Sequence, residues 1–172
     1  MRNVGIRDDE IVQLTAFKVG NEEYVVDILR VREIIRPLQI TPVRRGPAYV
    51  EGVICLRGSV IPVVDMRRRF GIAGESETPR QQRVIILLIE GRVLGLVVDS
   101  VTDVVRLPRK SIRPAPGLLA SDRAPYFMGV CHYRERILIL LNVKSIVQSE
   151  EEIEPLKTEK FVALGDGDQV EE

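Results

Sequence analysis

His132 is the single histidine of the chain, and it stands beside Cys131. A Ser-His-Asp or Cys-His dyad would have to use this imidazole as its base. Neighbouring side chains of a strand point to opposite faces, so the two do not converge. A zinc site needs about four ligands; Cys55, Cys131 and His132 supply three, without ligand spacing. Asp27, Asp65, Asp99 and Asp103 are better placed to cap turns at strand ends than to act as paired acids. Gly165-Asp166-Gly167 opens no helix, so no phosphate loop is present. These residues predict no catalytic, metal or cofactor site and a chain that is not an enzyme.

Arginine is the other chemically capable residue. It makes up 20 of the 25 basic residues and clusters at Arg44-Arg45 and Arg67-Arg68-Arg69. Such clusters can bind a phosphate backbone, which makes a basic β-barrel nucleic-acid binder the alternative function. Stacking platforms also need interleaved aromatics, and here only Phe70 follows the triple arginine and there is no Trp. Arginine is equally the basic residue preferred at protein interfaces, so the expectation is a protein partner and no nucleic acid.

The elements that position these residues are mostly strands. Val and Ile number 41 against 7 Ala, which favours pleated structure over helix. Strands are expected at 11–19, 24–28, 50–57, 59–66, 83–90, 92–99, 101–107 and 136–143, with 28–36 a strand or short helix. Pro47 suggests one helical turn at 46–51, and Val143–Ile153 a short C-terminal helix. No uncharged apolar stretch approaches the roughly 18 residues of a membrane helix, so no direct membrane insertion is expected. The first ten residues lack the apolar core of a secretory signal. Both cysteines are then expected to be reduced thiols in a cytoplasmic protein. The net charge of zero hides a basic body, 1–148, with 23 basic and 16 acidic residues, and a tail, 149–172, with 2 and 9.

The chain repeats itself. Gly52–Met66 aligns without gaps on Gly129–Val143 at an offset of 77, and Val25-Val26-Asp27 matches Val97-Val98-Asp99 at 72. Each of the latter precedes an apolar strand carrying an acid, Glu33 or Asp103. Two β units of about 70 residues follow, each able to close into a small barrel and each marginal alone. Pro62 stands where the second copy has Ile139, which marks an edge or bulge and a candidate place for a partner.

Residues 22–36 (EEYVVDILRVREIIR), 41–47 (TPVRRGP), 49–58 (YVEGVICLRG) and 60–66 (VIPVVDM) resemble the CheW family of chemotaxis coupling proteins. Residues 94–105, 112–116 and 137–143 continue the resemblance in family order, from about 11 to 148. It implies a mainly β fold: two tandem five-stranded β-barrels packed on each other, with a short C-terminal helix. The expected domain is 11–148, with subdomains of about 11–78 and 79–148 whose terminal strands cross over or do not. Residues 1–10 and 149–172 are expected to be flexible flanks.

The resemblance further implies an adaptor between the histidine kinase CheA and transmembrane chemoreceptors. It would bind the kinase's regulatory domain and the cytoplasmic receptor tip, in arrays at the inner face of the membrane. By family motif, Val31, Glu33, Gly52 and Arg57 are implied in kinase coupling, and Val84, Val101 and Val104 in receptor contact. Cys55 departs from the Asn most common in the family. The residues themselves suggest that Glu33 and Arg57 pair across two strands. Val101 and Val104, three apart, share a face of their strand only if a bulge intervenes.

Overall fold

The computed structural model describes residues 9–44, 50–114 and 126–147. Among the described residues ten strands run in order: β1 Ile11–Val19, β2 Glu22–Asp27, β3 Val31–Ile35, β4 Val50–Leu56, β5 Ser59–Asp65, β6 Arg83–Ile89, β7 Arg92–Val98, β8 Ser100–Pro108, β9 Phe127–Tyr133 and β10 Arg136–Leu141. A 3₁₀ turn, Ile28–Arg30, precedes β3; one helical turn, α1 (Met66–Arg69), follows β5; α2 (Val143–Val147) follows β10. The helix expected to run to Ile153 is described only to Val147, and most of the turn expected at 46–51 lies outside the described residues, with Val50 and Glu51 belonging to β4.

The strands form two five-stranded sheets of identical plan, β8-β1-β2-β10-β9 and β3-β6-β7-β5-β4. Neither sheet is a continuous stretch of chain. The hairpin β1–β2 joins the strands of the second repeat, and β6–β7 joins those of the first. A boundary near residue 78 therefore does not divide one sheet from the other.

Each sheet curls until the segment after its outer strand reaches the opposite edge. Thr41, beyond β3, exchanges two backbone hydrogen bonds with Val53 of β4, both 2.9 Å. Arg113, beyond β8, exchanges two with Val130 of β9, both 2.8 Å. These bridges cover part of the open edges that would otherwise invite aggregation. The closing strand crosses directly over a glycine in each case. A Cβ on Gly52 would lie 2.1 Å from the Thr41 carbonyl oxygen, and one on Gly129 2.9 Å from that of Arg113.

Among the described residues three apolar clusters result. Leu14, Val25, Val105 and Leu138 fill one barrel, and Ile54, Ile61, Val63 and Val84 the other. The largest cluster draws Phe17, Tyr24 and Val26 from one sheet and Ile85, Leu87 and Leu96 from the other, and it is the interface between them. Tyr24 stacks on Phe70 there, ring centroids 5.0 Å apart. Two small barrels that bury too little surface alone share this core.

The registers correct the internal alignment. Leu14 pairs with Asp27 as Val84 pairs with Val97, and Phe17 pairs with Val101 as Leu87 pairs with Val31. Strands β1–β3 thus correspond to β6–β8 at an offset of 70, and Val25 answers to Gly95, not Val97. In a chain so rich in valine, the Val-Val-Asp match at 72 is a two-residue slip. Pro62 is also not on an outer strand, because β5 lies between β7 and β4. It sits one residue before β5 meets β7 at Val63, whereas the matching contact of β10 with β2 begins earlier, at Leu138. A residue without an N–H shortens the ladder without ending the sheet.

Candidate functional site

Val31, Arg32, Glu33 and Ile34 begin the outer strand of one barrel. Val31 pairs with Leu87 and Glu33 with Ile86, so Arg32 is an extra residue, a bulge. The bulge turns Val31 toward the core between the barrels and leaves Ile34 exposed. Arg57 lies at the tip of the β4–β5 hairpin, on the opposite edge of the same sheet. It and Gly58 have φ of 49° and 79°, the left-handed pair that a two-residue hairpin turn requires. That backbone places the guanidinium over β3. Its Nη1 and Nη2 donate to Glu33 Oε2 and Oε1 at 2.6 and 3.1 Å.

This ion pair crosses the barrel seam, near the Thr41–Val53 bridge. Hydrogen bonds from Arg57 outweigh desolvation and hold the Glu33 carboxyl below its ordinary range. The Arg57 side chain is 73 % exposed, so the pair contributes little to folding and is presented to solvent. Gly52, by contrast, is buried beneath the closing strand. Its contribution to any interface is indirect, through barrel closure.

The candidate receptor residues divide. Val84 is wholly buried inside the barrel formed by β3–β7, against Ile54 and Val63, and it presents no surface to a partner. Its place on β6, the strand flanked by β3 and β7, makes it core. Val101 and Val104 do share a face. Phe17 pairs with Val101 and Ala16 with Asp103, so Thr102 is a bulge and shifts the alternation by one. Val101 is half-buried against the inter-barrel core, and Val104 is 48 % exposed beside it.

Further charged side chains form links that the sequence did not pair. Arg136 donates through Nε to Glu23 Oε1 at 3.0 Å, Thr102 also donates to Glu23, and Arg136 lies 3.6 Å from Asp103. Arg67 Nε and Nη2 donate to Asp99 Oδ1 and Oδ2 at 2.9 and 2.8 Å, and Asp99 Oδ2 also accepts from the Gly20 N–H. Both side chains of that pair are mostly buried. Asp99 joins β7 in one sheet to β8 in the other, so the pair fastens the crossover between barrels. Its signal in the sequence was hidden, since 32 residues separate the partners.

The triple-arginine cluster is engaged within the fold, whereas Arg44 is exposed. Arg67 is held by Asp99, Arg68 lies 3.5 Å from Asp65, and Arg69 stacks on Tyr126 with 4.9 Å to the ring centroid. Arg45 lies outside the described residues. His132 is exposed while Cys131 is buried beside it, and burial raises the Cys131 thiol. Among the described residues, no three His, Cys, Asp or Glu side chains gather to hold a metal ion.

Comparison with known proteins places these features. A family model described as a CheW-like domain matches residues 13–151. The chain is 40 % identical over 136 residues to chemotaxis protein CheW of Klebsiella aerogenes, covering 78 % of this chain and 81 % of that one. It is 37 % identical to chemotaxis protein CheW of Rhizobium meliloti, covering 81 % and 89 %. The crystal structure of scaffolding protein TtCheW from Thermoanaerobacter tengcongensis superposes with a TM-score of 0.75 at 29 % identity, covering 83 % of this chain and 92 % of that one. Fold and site thus define a double-barrel scaffolding module. The chain belongs to the CheW family and is an adaptor of chemotaxis signal transduction, coupling chemoreceptors to the kinase CheA. The nucleic-acid reading finds no support among these relatives.

Proposed function

We propose that the adaptor works without catalysis, holding the regulatory domain of CheA at the β3 seam and the receptor tip at the inter-barrel face. The supporting observation is the Glu33–Arg57 pair, fixed in geometry yet exposed at a barrel edge. A pair that adds little to folding suits orientation and partner choice. Val31 and Ile34 beside it supply apolar contact. On the other half, Val101 and Val104 offer an apolar strip to an amphipathic helical hairpin. The bound adaptor biases the kinase by binding its conformations unequally, as any effector must. Among the described residues, no helix is long and apolar enough to cross a membrane; we place the chain in the cytoplasm, recruited to receptor arrays. The test is Glu33→Arg and Arg57→Glu, singly and together, read as affinity for the purified regulatory domain. Each single change is expected to weaken binding at unchanged melting temperature, with partial recovery in the double variant. Single variants that bind as well as the parent overturn the assignment.

A further inference from the structure

A cleft of about 290 Å³ opens at the end of the barrel formed by β1, β2 and β8–β10. Its floor is apolar, with Val12, Leu14, Ile112 and Leu140, and Met128 stands 62 % exposed at its side. Its rim is cationic, with Arg30, Arg109 and Lys144 against one acid, Asp27, whose Oδ1 already accepts from the Leu29 N–H. Two exposed acids that do not line the cleft pair with these cations. Glu10 is 3.7 Å from Arg109, and Glu90 is 2.7 Å from Lys144. An apolar floor ringed by cations fits an acidic segment carrying apolar side chains.

The chain contains such a segment, attached at the rim. α2 contributes Val143 and Lys144 to the cleft and is described as far as Val147. Residues 149–172 then carry nine acids and two lysines, and Glu150-Glu151-Glu152-Ile153-Glu154-Pro155-Leu156 alternates charge with apolar bulk. At up to roughly 3.5 Å per residue, Ile153 and Leu156 can reach any part of the cleft. We propose that the segment 149–172 docks in this cleft of its own chain, Ile153 and Leu156 on the floor and the glutamates against Arg30, Arg109 and Lys144. Because the attachment is intramolecular, a weak contact suffices for high occupancy. The docked tail neutralises this cationic rim, and neither Glu33 nor Arg57 lines the cleft it fills.

The test uses the full chain. Cys55→Ser leaves the buried Cys131 as the remaining thiol, and Pro155→Cys carries a nitroxide. Amide resonances of Leu14 and Met128 are then expected to broaden more than those of Glu33 and Cys55→Ser. The broadening is expected to be lost in an Arg30→Glu/Arg109→Glu variant, and lost in the unreversed protein as salt rises to about 1 M, where screening is nearly complete. Should the reversed variant fail to fold, the salt arm still decides. Absence of broadening at Leu14 and Met128, or broadening indifferent to both charge reversal and salt, overturns the proposal.

Discussion

Glu33 and Asp103 occupy the same position in the two halves of the molecule. Each follows a bulge, at Arg32 or Thr102, each is preceded by a valine facing the shared core, and each meets an arginine from the hairpin at the far edge of its sheet. Val31, Glu33 and Ile34 answer to Val101, Asp103 and Val104. Residues that the family resemblance assigns to two different partners are one structural device used twice. The copies differ in their arginine, Arg57 at a turn and Arg136 two positions further along its own hairpin, where Arg134 instead lies over Tyr133. They also differ in closeness, 2.6 Å against 3.6 Å.

The valines of the receptor-facing assignment should separate by experiment. Val84→Ala opens space in a filled barrel and is expected to cost about 1–3 kcal/mol in urea unfolding. Val104→Glu is expected to change stability by no more than about 0.5 kcal/mol. It should weaken binding to the receptor tip while leaving affinity for the kinase domain unchanged.

Closure over glycine makes an ordered prediction. Gly52→Ala forces a methyl to within 2.1 Å of a carbonyl oxygen and is expected to cost at least about 2 kcal/mol. Gly129→Ala meets its closing strand at 2.9 Å and is expected to cost less. Thermal melts of both variants check the order. Lost kinase coupling in Gly52→Ala should track its lost folding.

Breaking the crossover clamp is expected to be costly. Asp99→Ala leaves a mostly buried Arg67 guanidinium and the Gly20 N–H without their acceptor. A loss of about 2–4 kcal/mol is expected, measured by denaturant unfolding. Since the shared apolar core still joins both barrels, the transition should remain single.

Two glutamates should respond oppositely to pH. Burial alone would raise the Glu23 carboxyl, but hydrogen bonds from Arg136 and Thr102 outweigh it and hold it below the ordinary range. Its stabilisation is therefore complete above the unfolded value and is lost as pH falls through the folded one. Glu23→Gln is expected to cost about 1–2 kcal/mol at pH 7, a difference that shrinks below about pH 4. Burial and the nearby Asp65 raise Glu51. Its ionisation opposes folding as pH rises, so Glu51→Gln should melt higher than the parent at pH 7. Melting curves from about pH 3 to about pH 8, which bracket the ordinary carboxylate range, check both signs.

Most strands and the repeat were legible because β-branched residues and turn signals act locally, whereas β9, Phe127–Tyr133, was not among the expected strands. Strand partners were not legible, because pairing is decided by which faces the whole sheet can bury. The exchange of β1–β2 and β6–β7 between barrels leaves no mark in local sequence. The bulge at Arg32 was invisible for the same reason, while at Thr102 the odd spacing of Val101 and Val104 left two readings open, a bulge or bend, or only one valine exposed. The Glu33–Arg57 pair was readable from motif and charge. The burial of Val84 was not, since an apolar strand residue looks alike on either face.

The adaptor role itself is tested most directly by cosedimentation of CheA with receptor-bearing membranes, with and without this chain. Kinase recruitment is expected to rise with added adaptor and to fall when the adaptor carries Arg57→Glu or Val104→Glu. Recruitment that is the same with and without the chain would contradict the account.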